Sequence, residues 1–366
     1  HVLPESAYQF DKQIPNNGRD GATMARAAAE FLKETPDQPF FLLMGYTDPH
    51  RAGQGFGNAQ DYPGLSPVKY DPAAVKVPPF LPDEPEVRAD LADYYQSVSR
   101  FDQGIGLMLK VLEETGHAQD TMVIYCSDNG MPFPGAKTTL YQAGIHLPLI
   151  IRDPTQQQRG RVNQALVSFT DITPTALAWA GITPPPAVQG RSLLPILDVD
   201  APSGFDEVFA SHTFHEITMY NPMRTVITRQ HKLIWNLAYQ LPTPFASDIY
   251  NSPTWQGILR RGANRMGGRT VEAFLHRPEF ELYDLINDPE EFHNLAADPS
   301  RGAVLEELKG KLLEMMVRTN DPWCEPVGRV LKLPARPSRE PSPKPGPRPR
   351  QPPGKTKASP GREPTL

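Results

Sequence analysis

Cysteine is scarce in this chain: 366 residues contain two, Cys126 and Cys324. Two such thiols build no disulfide framework. Cys126 ends the apolar run Met122 to Cys126, where a small buried thiol is ordinary packing material. Long apolar stretches are missing too. No window approaches the roughly 20 residues that a helical membrane span needs. His1-Val2-Leu3-Pro4 lacks an initiator Met, a basic start and an apolar core, so it reads as no signal peptide and as a truncated front. An Asn-x-Ser/Thr acceptor with a permitted middle residue is also absent, Asn251-Ser252-Pro253 not qualifying, which gives no support for N-glycosylation.

Positive charge is short in the body of the chain. The net charge is −5, yet residues 334–366 carry eight Lys/Arg against two Glu, leaving the preceding residues at about −11. An acidic body argues against a nucleic-acid binder. The same terminal stretch holds eleven prolines and almost no large apolar side chain. Such a composition cannot repay the entropy of ordering and reads as a disordered, basic tail.

What is present reads as an α/β protein. The apolar fraction of 39% and charged fraction of 22% fit a globular chain with a sizeable core. Ala-rich Gly21 to Glu34 predicts a helix leading into a strand at Phe40 to Tyr46. A long Pro- and Gly-rich segment follows from Arg51 to about Pro85. Asp90 is placed to cap a helix through Thr115, with Leu91, Tyr94, Tyr95, Val98, Phe101, Ile105, Met108 and Leu112 on one face and Gly116 as its stop. Met122 to Cys126 and Leu147 to Ile151 read as strands, and Ala165 to Phe169 leads into a helix from Asp171 to Ala180. Together these predict the latter part of a mostly parallel sheet covered by helices. After Pro195 the pattern becomes antiparallel: strands at Val208 to His212, Met223 to Thr228, Lys232 to Leu237 and Phe280 to Leu285, then an amphipathic helix from Val304 to Arg318. Three regions follow: a large α/β domain over 1–196, a smaller α+β domain over 197–333, and the tail over 334–366.

The most telling segment is Ser127-Asp128-Asn129-Gly130, at the carboxyl end of one predicted strand and shortly before Lys137. Open α/β sheets bind ligands beyond the carboxyl ends of their strands, where an Asp and an Asn are well placed for a hard cation. Asn-Gly is also an ordinary turn dipeptide. The strand at Phe40 to Tyr46 ends in Thr47-Asp48-Pro49-His50-Arg51, so two strands deliver polar side chains to one rim.

These two segments, together with Pro132-Phe133-Pro134, Lys137, Gly190-Arg191-Ser192-Leu193-Leu194-Pro195, Glu281-Leu282-Tyr283-Asp284, Asp288-Pro289-Glu290 and Asn294-Leu295, resemble the sulfatase family. His1 to Ser6, Ser127 to Pro134, His215-Glu216, Thr218-Met219 and Pro222-Met223-Arg224 are most similar to its branch acting on the N-sulfate of glucosamine in heparan-type glycans. The resemblance implies an alkaline-phosphatase-like α/β fold with a smaller antiparallel domain, bound Ca2+ and a formylglycine nucleophile. It implies metal ligands at Asp128 and Asn129, catalytic His50 and Lys137, and substrate contacts from His215, Glu216 and Arg224. A buried ion pair between Glu216 and Arg224 is the competing reading, and His146 is read as structural. The partner implied is a sulfated glycan, with a homodimer allowed and no nucleic acid or membrane span. The location implied is the periplasm or exterior of a bacterium, or the lysosomal lumen of an animal.

The formylglycine motif, Cys/Ser-x-Pro-x-Arg, does not occur in the sequence, nor do the family's early Asp-Asp and Lys-x-His segments. The chain is therefore expected to hold part of an active site and to be inactive alone. An O-sulfatase, a metal-dependent phosphatase-type relative and an inactive remnant stay open beside the N-sulfatase reading.

Overall fold

The computed structural model describes residues 10–34, 36–156, 158–216 and 219–324. The expected tail lies outside the described residues. One compact unit runs to Met315, and a second begins at Met316.

Helix α1 (Gly21–Glu34) has the predicted bounds and buries Met24, Ala25, Ala28 and Leu32. Helix α2 (Pro85–Glu114) starts five residues before the predicted cap, because Pro85 at its first turn has a φ already suited to a helix. Asp90 is thus a buried residue within α2 rather than its cap. Strand β1 (Val123–Cys126), the short helix α3 (Gln142–Ile145) and strand β2 (Leu149–Arg152) follow, then α4 (Ile172–Trp179). β1 and β2 pair antiparallel, Tyr125 opposite Ile150. The intervening segment folds back as a loop instead of crossing over as a long helix, and only a crossover makes neighbours parallel. Cys126 is exposed at the end of β1, a correction to its expected burial. Residues 40–46 run without ladder pairing among the described residues, so the strand expected there is not formed. Residues 165–169 lead into α4, as expected.

The C-terminal half contains β3 (Glu207–Phe214), β4 (Tyr220–Thr228), β5 (His231–Asn236), α5 (Ser247–Tyr250), α6 (Pro253–Arg261), β6 (Arg265–Met266), β7 (Arg269–Thr270), α7 (Val271–Leu275), β8 (Phe280–Asp284) and α8 (Gly302–Arg318). Strands β3, β4, β5 and β8 form one antiparallel sheet in that order. This is the smaller antiparallel sheet and terminal helix that the alternation predicts. Met223, Ile234 and Tyr283 on one face pack with Leu140 and Tyr141, so the sheet backs the loop that carries Lys137. Helix α6 has no counterpart in the sequence reading, although Ser252 caps it and Gly262 closes it in the left-handed conformation.

Two buried ion clusters take Asp48 and Arg51 out of the rim expected of Thr47 to Arg51. Asp48, 4% exposed, accepts from Arg19, from Arg100 Nε at 2.6 Å and Nη2 at 2.8 Å, and from Ser97 Oγ at 3.0 Å. Arg51 is equally enclosed and grips Asp90 with two bonds of 2.7 and 2.8 Å, between the rings of Phe56 and Phe133. Removing one partner of such a cluster strands the other's charge. Asp48→Ala is expected to destabilise the protein by about 3–5 kcal/mol, measured by urea unfolding; a loss below about 1 kcal/mol contradicts the assignment.

Candidate active site

Three distant segments bring charged side chains together. Lys137, 3% exposed, donates from Nζ to Asp248 Oδ2 at 2.7 Å and lies 3.1 Å from His50 Nε2. His50 Nε2 is 3.7 Å from the same carboxylate oxygen. The Nδ1 of His50 lies 2.7 Å from the Arg51 carbonyl, which only accepts, so Nδ1 carries a proton and Nε2 accepts from Lys137 in the neutral ring. Half of the His50 side chain is exposed, so the ring is open to an incoming molecule.

The Arg51–Asp90 pair registers all three segments. Arg51 adjoins His50, and its Nε donates to the Pro132 carbonyl at 2.9 Å, five residues before Lys137. Asp90 also accepts from Thr254 Oγ1 at 2.7 Å, six residues after Asp248. Sequence reasoning missed Asp248. It sits in an unremarkable Ala-Ser-Asp-Ile stretch, and the Ser252-Pro253 signal of the following helix was the only local cue.

Burial pushes the Asp248 carboxyl up, but the hydrogen bond from Lys137 and the charges of Lys137 and His50 outweigh it and hold it below its ordinary value. A depressed carboxyl adds stability above the unfolded pKa of about 3.9 and loses it as pH falls through the folded value. Asp248→Asn is therefore expected to flatten the acid limb of the stability curve below about pH 4, read from urea midpoints between about pH 5 and about pH 2. An unchanged acid limb contradicts the pairing.

His215 is exposed and lies within electrostatic reach of Lys137, Asp248 and His50; burial of part of its ring and then the Lys137 charge push its pKa down. Glu216 accepts from the backbone N–H and the hydroxyl of Ser247, at 3.0 and 2.7 Å, beside Asp248. Arg224 is buried on β4 and donates to the carbonyls of His212 and Met223, at 3.0 and 2.8 Å. His215 thus joins the cluster, Glu216 holds the segment before α5, and the described bonds of Arg224 tie down the sheet.

Asp128 and Asn129 lie just past β1 and line, with Lys137, His146 and His215, a cleft of about 1520 Å³. Among the described residues neither side chain makes a hydrogen bond, which leaves their oxygens available. They fit a hard cation in kind, as part of the six to eight oxygens that calcium takes. Among the described residues no group of three or more His, Cys, Asp or Glu is assembled for a metal. His146, read as structural from the sequence, is exposed at this wall of the cleft.

Comparison with known proteins identifies the family. The sulfatase profile matches residues 4–182, and that of the N-sulphoglucosamine sulphohydrolase C-terminal region matches residues 136–243. Human N-sulphoglucosamine sulphohydrolase is 39% identical over 363 residues, which cover 90% of this chain and 72% of the human protein. The chain belongs to the sulfatase family. An ulvan-active sulfatase of Formosa agariphila is 27% identical over 84% of this chain, which spans 55% of that protein. A solved 2-O GAG sulfatase shares the fold, with a TM-score of 0.59 at 19% identity over 86% of this chain and 67% of its own. The sulfatase family consists of metal-dependent hydrolases of sulfate esters and sulfamates, with an α/β fold and a smaller C-terminal sheet. The paired strands among this sulfatase's described residues all run antiparallel.

Proposed function

We propose that this sulfatase hydrolyses the N-sulfate of glucosamine in heparan-type glycans, releasing a free amine and inorganic sulfate. The observation that carries the reading is the His50, Lys137 and Asp248 cluster, with Lys137 on the wall of the cleft that Asp128 and Asn129 also line. The 39% identity to the human N-sulphoglucosamine sulphohydrolase directs it to the S–N bond.

Asp128 and Asn129 would hold calcium, completed by further oxygen donors. When bound, calcium places positive charge against sulfate oxygens. Lys137 adds a second positive charge, itself enclosed, and a fixed charge of this kind is effective on a developing anion. Asp248 keeps the Lys137 ammonium aimed rather than free to swing. His50 orients a substrate through Nε2, and once protonated there it hands that proton to the departing nitrogen as the S–N bond breaks. His215 lines the substrate side, Glu216 holds the segment that carries Asp248, and Arg224 fixes the strand behind them. No Cys/Ser-x-Pro-x-Arg occurs in the sequence, so the nucleophile is assigned to none of its residues. This chain by itself is expected to release no sulfate. Such substrates place the protein outside the cytoplasm, in an exported or lysosomal compartment.

The test is an assay of the product of the natural gene on N-sulfoglucosamine and on 6-O-sulfated glucosamine. Sulfate is expected from the first. Release from the second alone overturns the S–N assignment in favour of an O-sulfatase.

A further inference from the structure

The four-stranded sheet buries a lysine. Lys232 on β5 is fully enclosed and pairs at 2.7 Å with Glu291, which is 1% exposed. Desolvation offsets most of the attraction in such a pair, so its presence needs a reason other than stability. The second Glu291 oxygen supplies one: it accepts from the backbone N–H of Gln142 at 2.6 Å, while Lys232 Nζ donates to Gln142 Oε1 at 3.3 Å. Gln142 opens α3. The far end of that single turn touches the candidate cation loop, because Gly130 N–H donates to the Gly144 carbonyl at 3.0 Å. The contact is backbone to backbone. A Cβ at Gly130 would meet the Ala143 carbonyl oxygen at 2.2 Å, and one at Gly144 would meet those of Thr139 and Ala136 at 2.5 and 2.6 Å.

Glu291 is itself fixed from behind. Its φ of 59° lies in the left-handed region, which side-chain-bearing residues adopt at a cost. Arg269 donates to its carbonyl oxygen and stacks 3.7 Å above the Tyr141 ring, next to Gln142. Tyr141 and Tyr283 both donate to Glu281, which also takes a bond from Asn236, so the wall around the pair is hydrogen-bonded.

We propose that Glu291, held by Lys232, is a positioning residue that sets where Asp128 and Asn129 present their oxygens, acting through Gln142, α3 and the Gly130 amide. The assignment rests on the reading of Asp128 and Asn129 as calcium ligands. Second-layer partners of this kind are worth about 10- to 100-fold in metal affinity.

The test compares the full chain with Glu291→Ala, Glu291→Gln and the double variant Lys232→Met/Glu291→Met. Apolar side chains replacing both members of a buried pair are well tolerated, so the double variant keeps a folded protein if Glu291→Ala does not. Two quantities are read: calcium affinity by titration calorimetry, and amide exchange at Gly130 and Gln142 in calcium-free protein, against the β4 and β5 amides. Glu291→Ala and the double variant are expected to weaken calcium about 10- to 100-fold and to speed exchange at Gly130 while leaving β4 and β5 protected. Glu291→Gln, which keeps an oxygen for the Gln142 N–H, is expected to restore most of both. Unchanged Gly130 exchange, a uniform loss of protection across the sheet, or unaltered calcium affinity each overturns the proposal. If the wild-type chain takes up no calcium, the exchange contrast in calcium-free protein alone decides whether Glu291 holds the loop.

Discussion

Asp128→Ala is expected to abolish calcium uptake by this sulfatase and to lower turnover of the natural gene product on N-sulfoglucosamine by about 10²- to 10³-fold or more, the usual loss when one preorganised charge-stabilising element is removed. The prediction is sharp because of where Asp128 sits. It is exposed just past β1, lines the cleft, and makes no side-chain hydrogen bond among the described residues. Its removal therefore strands no buried partner, and the unfolding midpoint is expected to stay within the ordinary scatter of surface substitutions, about 0.5 kcal/mol. Calcium calorimetry and urea unfolding on the same preparation separate the two effects. Retained calcium binding or undiminished turnover removes Asp128 from the site, whereas lost activity with lost stability relocates its role to folding.

Lys137→Met has the second-largest expected effect and divides differently. The ammonium is enclosed, and its partner Asp248 has a buried Oδ1 with no hydrogen bond among the described residues, so the substitution leaves a carboxylate short of its cation. A hydrogen bond to a charged group is worth about 1.5–3 kcal/mol, and a stability loss of that order is expected. Turnover is expected to fall by about 10²- to 10³-fold as well. The double variant Lys137→Met/Asp248→Asn distinguishes the roles, since it removes the stranded charge. Stability is expected to recover by about half or more, with no recovery of turnover. Lys137→Arg keeps the charge but replaces a single compact donor with a planar fork, and is expected to retain more activity than Lys137→Met. Recovery of turnover in the double variant would show that Lys137 acts only through the fold.

Much of the site was legible in the sequence because its parts are local. A strand that ends in Asp-Asn-Gly must display those side chains at its carboxyl end, whatever packs around it. The four strands after Pro195 were legible likewise, since each is a short apolar run bounded by polar turns. What depended on distant partners was not legible. Asp48 and Arg51 look identical to His50 as polar residues following an apolar run. Only packing against Arg100 and Asp90 sends two of the three inward and leaves the third facing out. The direction of β2 has a similar cause: its residues fix that it is a strand, but the path of the chain between 127 and 148 fixes which way it runs.

By itself, then, the sequence determined the family, the helices and strands that are amphipathic in their own right, and the donor types available for a cation and a sulfate. The tertiary structure decided which charges meet. Asp248 stands 111 residues from Lys137 along the chain, and Glu291 stands 149 from Gln142. No periodicity or spacing encodes an approach across such a separation. It exists because the buried Arg51–Asp90 pair and the antiparallel sheet hold their segments in register, and a charge can remain unsolvated only where that register delivers its partner.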